Sequence, residues 1–317
     1  MPSFCRHNRL LANCTICARE QNFEVRPVVS SSAPRSTQPR VRAPRPTPAA
    51  PGRARATPRP VAGTRAGGVR VRRLARGADD GYSSPLVPGL RSGEDAARLA
   101  GEIGFAAARL ELMASVAAGE RLQDAPGAWR ELVAPDDLGA RTERAIEHVL
   151  SGPRGIDSEP LRGAALAAAR SWGERQGSLA TGLAGDPAWA PDRRFDRDFE
   201  RLGTLHGFTR DVSFELLTLL GGLGLYALAA GQLYLSGENE ATWAAKRAFG
   251  IGERQLLERR AANLADACEV PLAALDLALH DWGTGARAAG EADADPEVMS
   301  VLQRKALHAL GVPDPTV

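Results

Sequence analysis

The sequence predicts an all-α protein, and three observations lead to that prediction. Hydrophobic residues make up 44% of the 317-residue chain but aromatic residues only 5%, so alanine and leucine supply most of the apolar surface. Alanine and leucine favour helices, whereas β-branched and aromatic residues favour strands. From about residue 90 the apolar residues recur with helical spacing, and no stretch of useful length alternates with period two.

The first predicted helix begins at Ser92, which with Asp95 forms a capping-box pattern. Apolar residues then fall on one face of this helix, namely Ala96, Leu99, Ile103, Ala107, Leu110 and Met113. Glycine and proline separate the later periodic segments. We predict further helices over 137–151, 159–173, 192–203, 210–220, 225–235, 240–249, 253–267, 271–281 and 295–310.

Composition divides the chain into three predicted regions, a cysteine-containing start (1–25), a linker (26–85) and a helical domain (86–317). Between Arg26 and Arg76 there are thirteen arginines, many prolines and no acidic residue. Such a segment buries too little apolar surface to offset its ordering entropy, so we predict a disordered, extended linker. Residues 77–317 hold 24 basic and 36 acidic side chains, a net charge of −12. A basic arm on an acidic body predicts a polyanionic partner such as DNA.

One stretch raises the question of a membrane span, because Leu216–Gly237 contains no charged residue. Four glycines interrupt it, which favours a buried helical hairpin instead. The first residues of the chain lack the apolar run of a secretory signal. We therefore predict a soluble, cytoplasmic protein with no membrane partner.

The N-terminal region contains a possible zinc site. Cys14 and Cys17 form a Cys-x2-Cys pair, and Cys5 and His7 can complete a tetrahedral Cys3His set. A closed set of four ligands is typical of structural zinc, and so short a segment could scarcely fold without the metal. A redox Cys-x2-Cys pair or a reactive pair without metal is the alternative, although redox pairs usually lie at the start of a helix in a βαβ unit. The fourth cysteine, Cys268, fits a small buried residue.

A glycine-rich turn follows an apolar helix at Gly222-Leu223-Gly224. This pattern is typical of the helix-hairpin-helix motif, in which glycines let the backbone approach a DNA phosphate and helix amides bind it. An ordinary turn between two buried helices is the alternative.

Helix-hairpin-helix DNA glycosylases place a catalytic Asp about twenty residues beyond such a turn, where it stabilises positive charge on the sugar. Glu240 lies near that position here, with Glu238 as a second candidate, and no Asp is present. Both acids could instead simply begin a helix, where the helix dipole favours them. Lys246 is the lysine available for a Schiff-base mechanism, or else contacts solvent or phosphate.

Several separated blocks resemble, in order and spacing, the α-glutamyl/putrescinyl thymine pyrophosphorylase family in its clade 3 form. The resemblance covers about residues 90–285. The blocks are Pro187–Trp189, Phe199–Leu202, Gly207–Arg210, Phe214–Leu217, Leu220–Gly221, Leu223–Tyr226, Leu233–Leu235, Ala244–Arg247, Phe249–Gly252, Leu256–Arg260 and Leu275–Trp282.

The resemblance implies a fold related to the helix-hairpin-helix DNA glycosylases. It also implies replacement of a pyrophosphate on a 5-hydroxymethylpyrimidine in DNA by an amino acid or polyamine, or excision of hypermodified bases in phage defence. By this resemblance Arg210, Arg247 and the Gly222–Gly224 turn contact DNA or a phosphorylated base. Asp281 stands before Trp282 where we expect Asn, and it is a further candidate catalytic residue. Ser213 and Gly222 stand where we expect basic residues.

The leading hypothesis is therefore an enzyme that removes or remodels a modified pyrimidine in DNA. The base must leave the stack and enter a pocket. Tryptophans that could stack on it, or else belong to the core, are Trp172, Trp189, Trp243 and Trp282. The alternative is a non-catalytic DNA- or protein-binding adaptor that uses the zinc knuckle and basic linker, and it should tolerate substitution of Glu240, Asp281 and Lys246.

Overall fold

The computed structural model describes residues 76–285 and 295–313, all within a unit that spans Gly67–Val317. In these residues there are eleven α-helices, a short 3-10 turn and no strand, which confirms the all-α prediction. The helices are α1 (Gly93–Ala117), α2 (Gly127–Val133), α3 (Leu138–Ser151), α4 (Glu159–Arg175), α5 (Leu179–Ala184), α6 (Pro191–Leu202), α7 (Arg210–Gly222), α8 (Glu240–Phe249), α9 (Arg254–Cys268), α10 (Leu272–Thr284) and α11 (Pro296–Leu310).

Helix α1 is the central element of the fold. Its predicted start is confirmed, because the Ser92 hydroxyl accepts a hydrogen bond from the amide of Asp95 at 3.3 Å. Helices α7, α10 and α11 pack on α1, so residues on nearly all sides of it are buried. Gly104 lets α11 approach α1 closely, since a Cβ there would lie 2.7 Å from the backbone nitrogen of Gln303 in α11.

Eight of the nine further predicted helices are confirmed, with bounds within three residues of the prediction. The sequence analysis missed α2 and α5, which have seven and six residues. Helices of two turns or fewer do not show enough repeats of the apolar pattern to be recognised.

The predicted helix over 225–235 is wrong. The chain continues from the end of α7 to Asn239 without a helix. Glu258 of α9 accepts hydrogen bonds from the amides of Leu233 at 2.8 Å and Leu235 at 2.5 Å, and Arg210 donates to the carbonyl of Leu233. These tertiary hydrogen bonds replace intrahelical ones and outweigh the high helix propensity of leucine and alanine.

The charge-free stretch Leu216–Gly237 is thus divided between α7 and this loop. Among the helices of the described ranges, none has the length and apolar character that crossing a bilayer requires.

Residues 76–85, which we predicted as the end of the linker, lie against the helical unit. The amide of Gly77 donates to Oδ2 of Asp95 at 3.1 Å, and the hydroxyl of Tyr82 donates to the carbonyl of Leu310 at 2.6 Å. Gly77 and Tyr82 are therefore held against the helical unit.

Asp198 is a carboxylate on the buried stripe of α6. Its Oδ1 accepts from Nη1 of Arg197 at 3.0 Å, whereas no described residue donates to its buried Oδ2. Burial raises the pKa of Asp198 to about 7, although the positive charge of Arg197 acts to lower it. A carboxyl with a raised folded-state pKa stabilises the fold below its unfolded pKa, near 3.8, and loses that contribution as the pH rises through 7.

We expect Asp198→Asn to be more stable than the wild type at pH 8, and by a smaller margin at pH 5. The difference between the two margins should be roughly 2–3 kcal/mol, since one pKa unit corresponds to about 1.4 kcal/mol. Urea unfolding at both pH values measures it. Asp266→Asn, at an exposed position of α9, is the control. Equal margins at pH 5 and pH 8 would show that Asp198 is ionised throughout.

Candidate functional site

A cleft of about 340 Å³ lies between α8 and α10. Three residues predicted for function line it, namely Glu240, Lys246 and Arg247. Its other lining residues are Arg76, Trp243, Ala244 and Gly283. We call this the α8–α10 cleft.

The sequence of α8 explains how these side chains come together. Asn239 caps the helix by accepting a hydrogen bond from the amide of Thr242 at 2.9 Å. Glu240, Trp243 and Arg247 then follow at helical spacings of three and four, which places them on one face. Small residues form the floor, because a Cβ added to Gly283 of α10 would lie 3.0 Å from that of Ala244.

The cleft combines an aromatic surface with cations and one carboxylate. The side chain of Trp243 is 37% exposed, and Nζ of Lys246 lies 4.9 Å from the centre of its ring. The guanidinium of Arg247 stacks on Trp282 at 4.4 Å and donates to Oδ2 of Asp95 at 2.6 Å. These contacts fix the direction of Arg247 while it still lines the cleft.

A second polar group lies in the protein interior and centres on Asp276 of α10, which is fully buried. Nη1 of Arg154 donates to its Oδ2 at 3.0 Å, and Arg210 donates to its Oδ1. Burial alone would raise the pKa of Asp276, but the two guanidinium groups hold it below its usual value. Likewise burial disfavours the charged form of Arg154, yet the surrounding carboxylates, Asp281 foremost, raise its pKa.

The buried group extends on both sides of Arg154. Glu215 of α7 lies 3.7 Å from Nε of Arg154 and 3.5 Å from Nη2 of Arg109. On the other side, Oδ1 of Asp281 lies 3.7 Å from Nη2 of Arg154 and 3.0 Å from Nδ1 of His280. We call these residues the buried ion network.

The buried ion network accounts for two residues predicted to act directly. Arg210 directs its guanidinium to Asp211, Asp276 and the carbonyl of Leu233. Its donors therefore stabilise the fold, and its predicted contact with DNA gains no support from this geometry. Asp281 also belongs to the buried ion network, and it does not line the cleft that contains Glu240.

The Gly222-Leu223-Gly224 turn ends α7 but does not lead into a second helix, so the predicted hairpin is absent at this position. A Cβ on Gly222 would lie 2.8 Å from Sδ of Met113, which explains this glycine by packing. Leu223 is buried, and Gly224 has a φ of 69°, which favours glycine at the helix end.

A different Gly-x-Gly sequence does join two helices. Gly250-Ile251-Gly252 connects α8 to α9, and Gly250 has a φ of 66°. The side chain of Glu253 accepts hydrogen bonds from the amides of Gln255 at 3.0 Å and Leu256 at 2.9 Å. The first amides of α9 are therefore satisfied within the chain. In the sequence this block is part of the resemblance to the pyrophosphorylase family.

The remaining residues predicted for function do not all lie in the α8–α10 cleft. Glu238 is exposed in the loop before α8 and does not line the cleft. Trp172 and Trp282 are buried, and Trp189 lies under Arg193 at 4.5 Å. Of the four tryptophans considered for stacking, Trp243 is the one in the cleft.

The predicted zinc ligands Cys5, His7, Cys14 and Cys17 lie outside the described residues. Within 76–285 and 295–313, no group of three or more His, Cys, Asp or Glu could hold a metal ion. Cys268 is buried as predicted, and burial raises the pKa of its thiol to about 12.

The chain matches no protein-family model, and neither a curated protein nor a solved structure matches it. The resemblance to the pyrophosphorylase family thus stays a prediction.

Proposed function

We propose that this protein removes or remodels a modified pyrimidine base in DNA, and that the base enters the α8–α10 cleft. The observation that supports this function is the combination of Trp243, three cations and the carboxylate of Glu240 in one cleft. A nucleotide offers a planar base and a phosphate, which match the aromatic and cationic groups respectively.

The ring of Trp243 supplies a stacking surface for an extruded base. Stacking of a base on an aromatic side chain tolerates different bases, which suits a modified pyrimidine. An enzyme that alters a base must first take it out of the duplex. The cleft provides the space for it beside the exposed ring.

The cations of the cleft suit DNA because the rest of residues 77–317 is acidic. An acidic surface repels DNA, so contact is favoured where basic side chains concentrate. Arg76 is the last of the thirteen arginines counted in the linker, and it lines the cleft. DNA attracted by the linker arginines would therefore meet the helical domain at this cleft.

In this proposal Glu240 is the carboxylate that acts on the base or its sugar. A negative charge there stabilises the positive charge that develops on the sugar as a base departs. Lys246 lies on the same helix and would be the nucleophile in a Schiff-base route. Asp281 would act indirectly, through Arg154 and His280.

A non-catalytic adaptor is the second candidate. Glu240 directly follows the helix cap Asn239, and this position by itself favours an acid. In either function we propose that Cys5, His7, Cys14 and Cys17 bind a structural zinc ion.

The experiment incubates the full chain with phage DNAs that contain different hypermodified pyrimidines. Mass spectrometry then examines the soluble fraction for free bases and the digested DNA for nucleosides of altered mass. A free base indicates excision, and a nucleoside that has lost pyrophosphate or gained an amine indicates transfer. Bound DNA without either product would favour the adaptor.

We expect Trp243→Ala to weaken the binding of the modified strand about 5- to 150-fold, because stacking of one base contributes about 1–3 kcal/mol. Trp189→Ala, which removes a partly exposed tryptophan from outside the cleft, is the matched control. Fluorescence anisotropy with a labelled single strand measures both. Equal affinities of the two variants would place the base elsewhere.

A further inference from the structure

A second cavity adjoins the α8–α10 cleft. It encloses about 230 Å³ and is lined by residues of the segment 76–92, the start of α1 and the end of α8. Arg76 and Arg247 line both cavities, so the two cavities are neighbours. Arg91 adds a third guanidinium. We call this space the arginine cavity.

Two of these three arginines are available for a ligand. Among residues 76–285 and 295–313, neither Arg76 nor Arg91 forms an ion pair or a side-chain hydrogen bond. Arg247 differs, because its contacts with Asp95 and Trp282 hold it in place. Cations without a carboxylate partner attract an anion.

The backbone around the cavity is firmly held. The amide of Asp80 donates to the carbonyl of Arg91 at 3.1 Å, and the amide of Gly89 donates to the carbonyl of Ala248 at 2.9 Å. A Cβ on Gly89 would clash with the backbone of Arg247, so the segment and the end of α8 are in close contact. The backbone positions of the arginines are therefore set before a ligand binds, which lowers the entropic cost of binding.

The charge of the cavity indicates which anion it suits. Asp79 and Asp95 also line it, so three arginines and two carboxylates leave one net positive charge. A phosphodiester carries one negative charge, whereas a terminal phosphate carries about −1.5 to −2 near pH 7. One net positive charge neutralises an internal phosphate of a nucleic-acid strand, whereas a free or terminal phosphate would keep an excess of negative charge beside Asp79 and Asp95.

We propose that the arginine cavity binds a backbone phosphodiester of the strand whose base stacks on Trp243. Arg76 and Arg91 contact the phosphate oxygens, and Arg247 separates the phosphate from the base. This inference rests on the proposed function for the position of the base. It assigns the phosphate contact to Arg76 and Arg91, which the sequence analysis had not considered.

The test uses the full chain and a trinucleotide of thymidine with two phosphodiesters and no terminal phosphate. Calorimetry at low salt compares the wild type with Arg91→Gln and two controls that also remove one positive charge. Arg254→Gln removes an exposed arginine at the start of α9, and Arg59→Gln removes one from the linker. We expect Arg91→Gln to weaken binding about tenfold or more, as for loss of a hydrogen bond to a charged group, and both controls much less.

Equal losses in the three variants would overturn the proposal, because only the total charge would matter. Undetectable binding of the trinucleotide to the wild type would overturn it as well. Inorganic phosphate is titrated separately, and Arg91-dependent phosphate binding that displaces the trinucleotide would assign the cavity to a free phosphate instead. If Arg91 proves specific while mass spectrometry finds no altered base, the cavity stands and the proposed enzymatic function fails.

Discussion

Replacing Glu240 with glutamine should slow release or remodelling of the modified base by about 10²–10³-fold, the range typical of removing one group that stabilises charge in the transition state. Glutamine keeps the size of the side chain and removes its negative charge. The affinity for DNA should stay nearly constant, since Trp243 and the cations of the cleft remain. Single-turnover rates from the mass-spectrometric assay, together with binding measured by anisotropy, separate the two effects.

The matched control is Glu159→Gln, because Glu159 is the first residue of α4 as Glu240 is of α8. Both substitutions remove an acid from the positive end of a helix, so both lose a similar dipole interaction. If the two variants react at the wild-type rate, Glu240 serves only to begin its helix. Glu238→Gln then tests the neighbouring acid, and an unchanged rate there too would favour the adaptor.

The sequence predicted the helices well because their apolar residues recur over several turns. The bounds predicted for α8, 240–249, are those observed. The helix predicted over 225–235 is absent. Leucine and alanine have high helix propensity wherever they occur, so their presence alone does not establish a helix. What prevents a helix there is Glu258 of α9, a partner that lies 23 and 25 residues away along the chain.

The candidate site was predicted only in part for a related reason. Glu240, Lys246 and Arg247 belong to one helix and line one cleft. Their spacing in the sequence is therefore enough to predict that they lie near each other. Arg76 and Arg91 reach the same region through tertiary packing, which has no local pattern.

The buried ion network did leave a signal that the sequence analysis did not use. Glu215 and Asp276 are charged residues flanked by apolar residues in α7 and α10. A buried charge requires a partner, so these two residues predict buried arginines beside them. The identity of those arginines, Arg154 and Arg210, depends on the fold.

Asp276→Asn should lower the free energy of unfolding by about 3–5 kcal/mol at pH 7, because it leaves Arg154 and Arg210 buried without their shared carboxylate. Asp136→Asn, which removes an exposed partner of Arg144, should change it little. Urea unfolding measures both variants.

The pH dependence provides the internal check on this effect. The lowered pKa of Asp276 means that its carboxylate stabilises the fold above its unfolded pKa, near 3.8, and loses that contribution as the pH falls through the lower folded value. The difference between the wild type and Asp276→Asn should therefore decrease on going from pH 7 to pH 3. A constant difference would mean that Asp276 acts through its shape and hydrogen bonds. In that case its charge would not be what holds Arg154 and Arg210 in place.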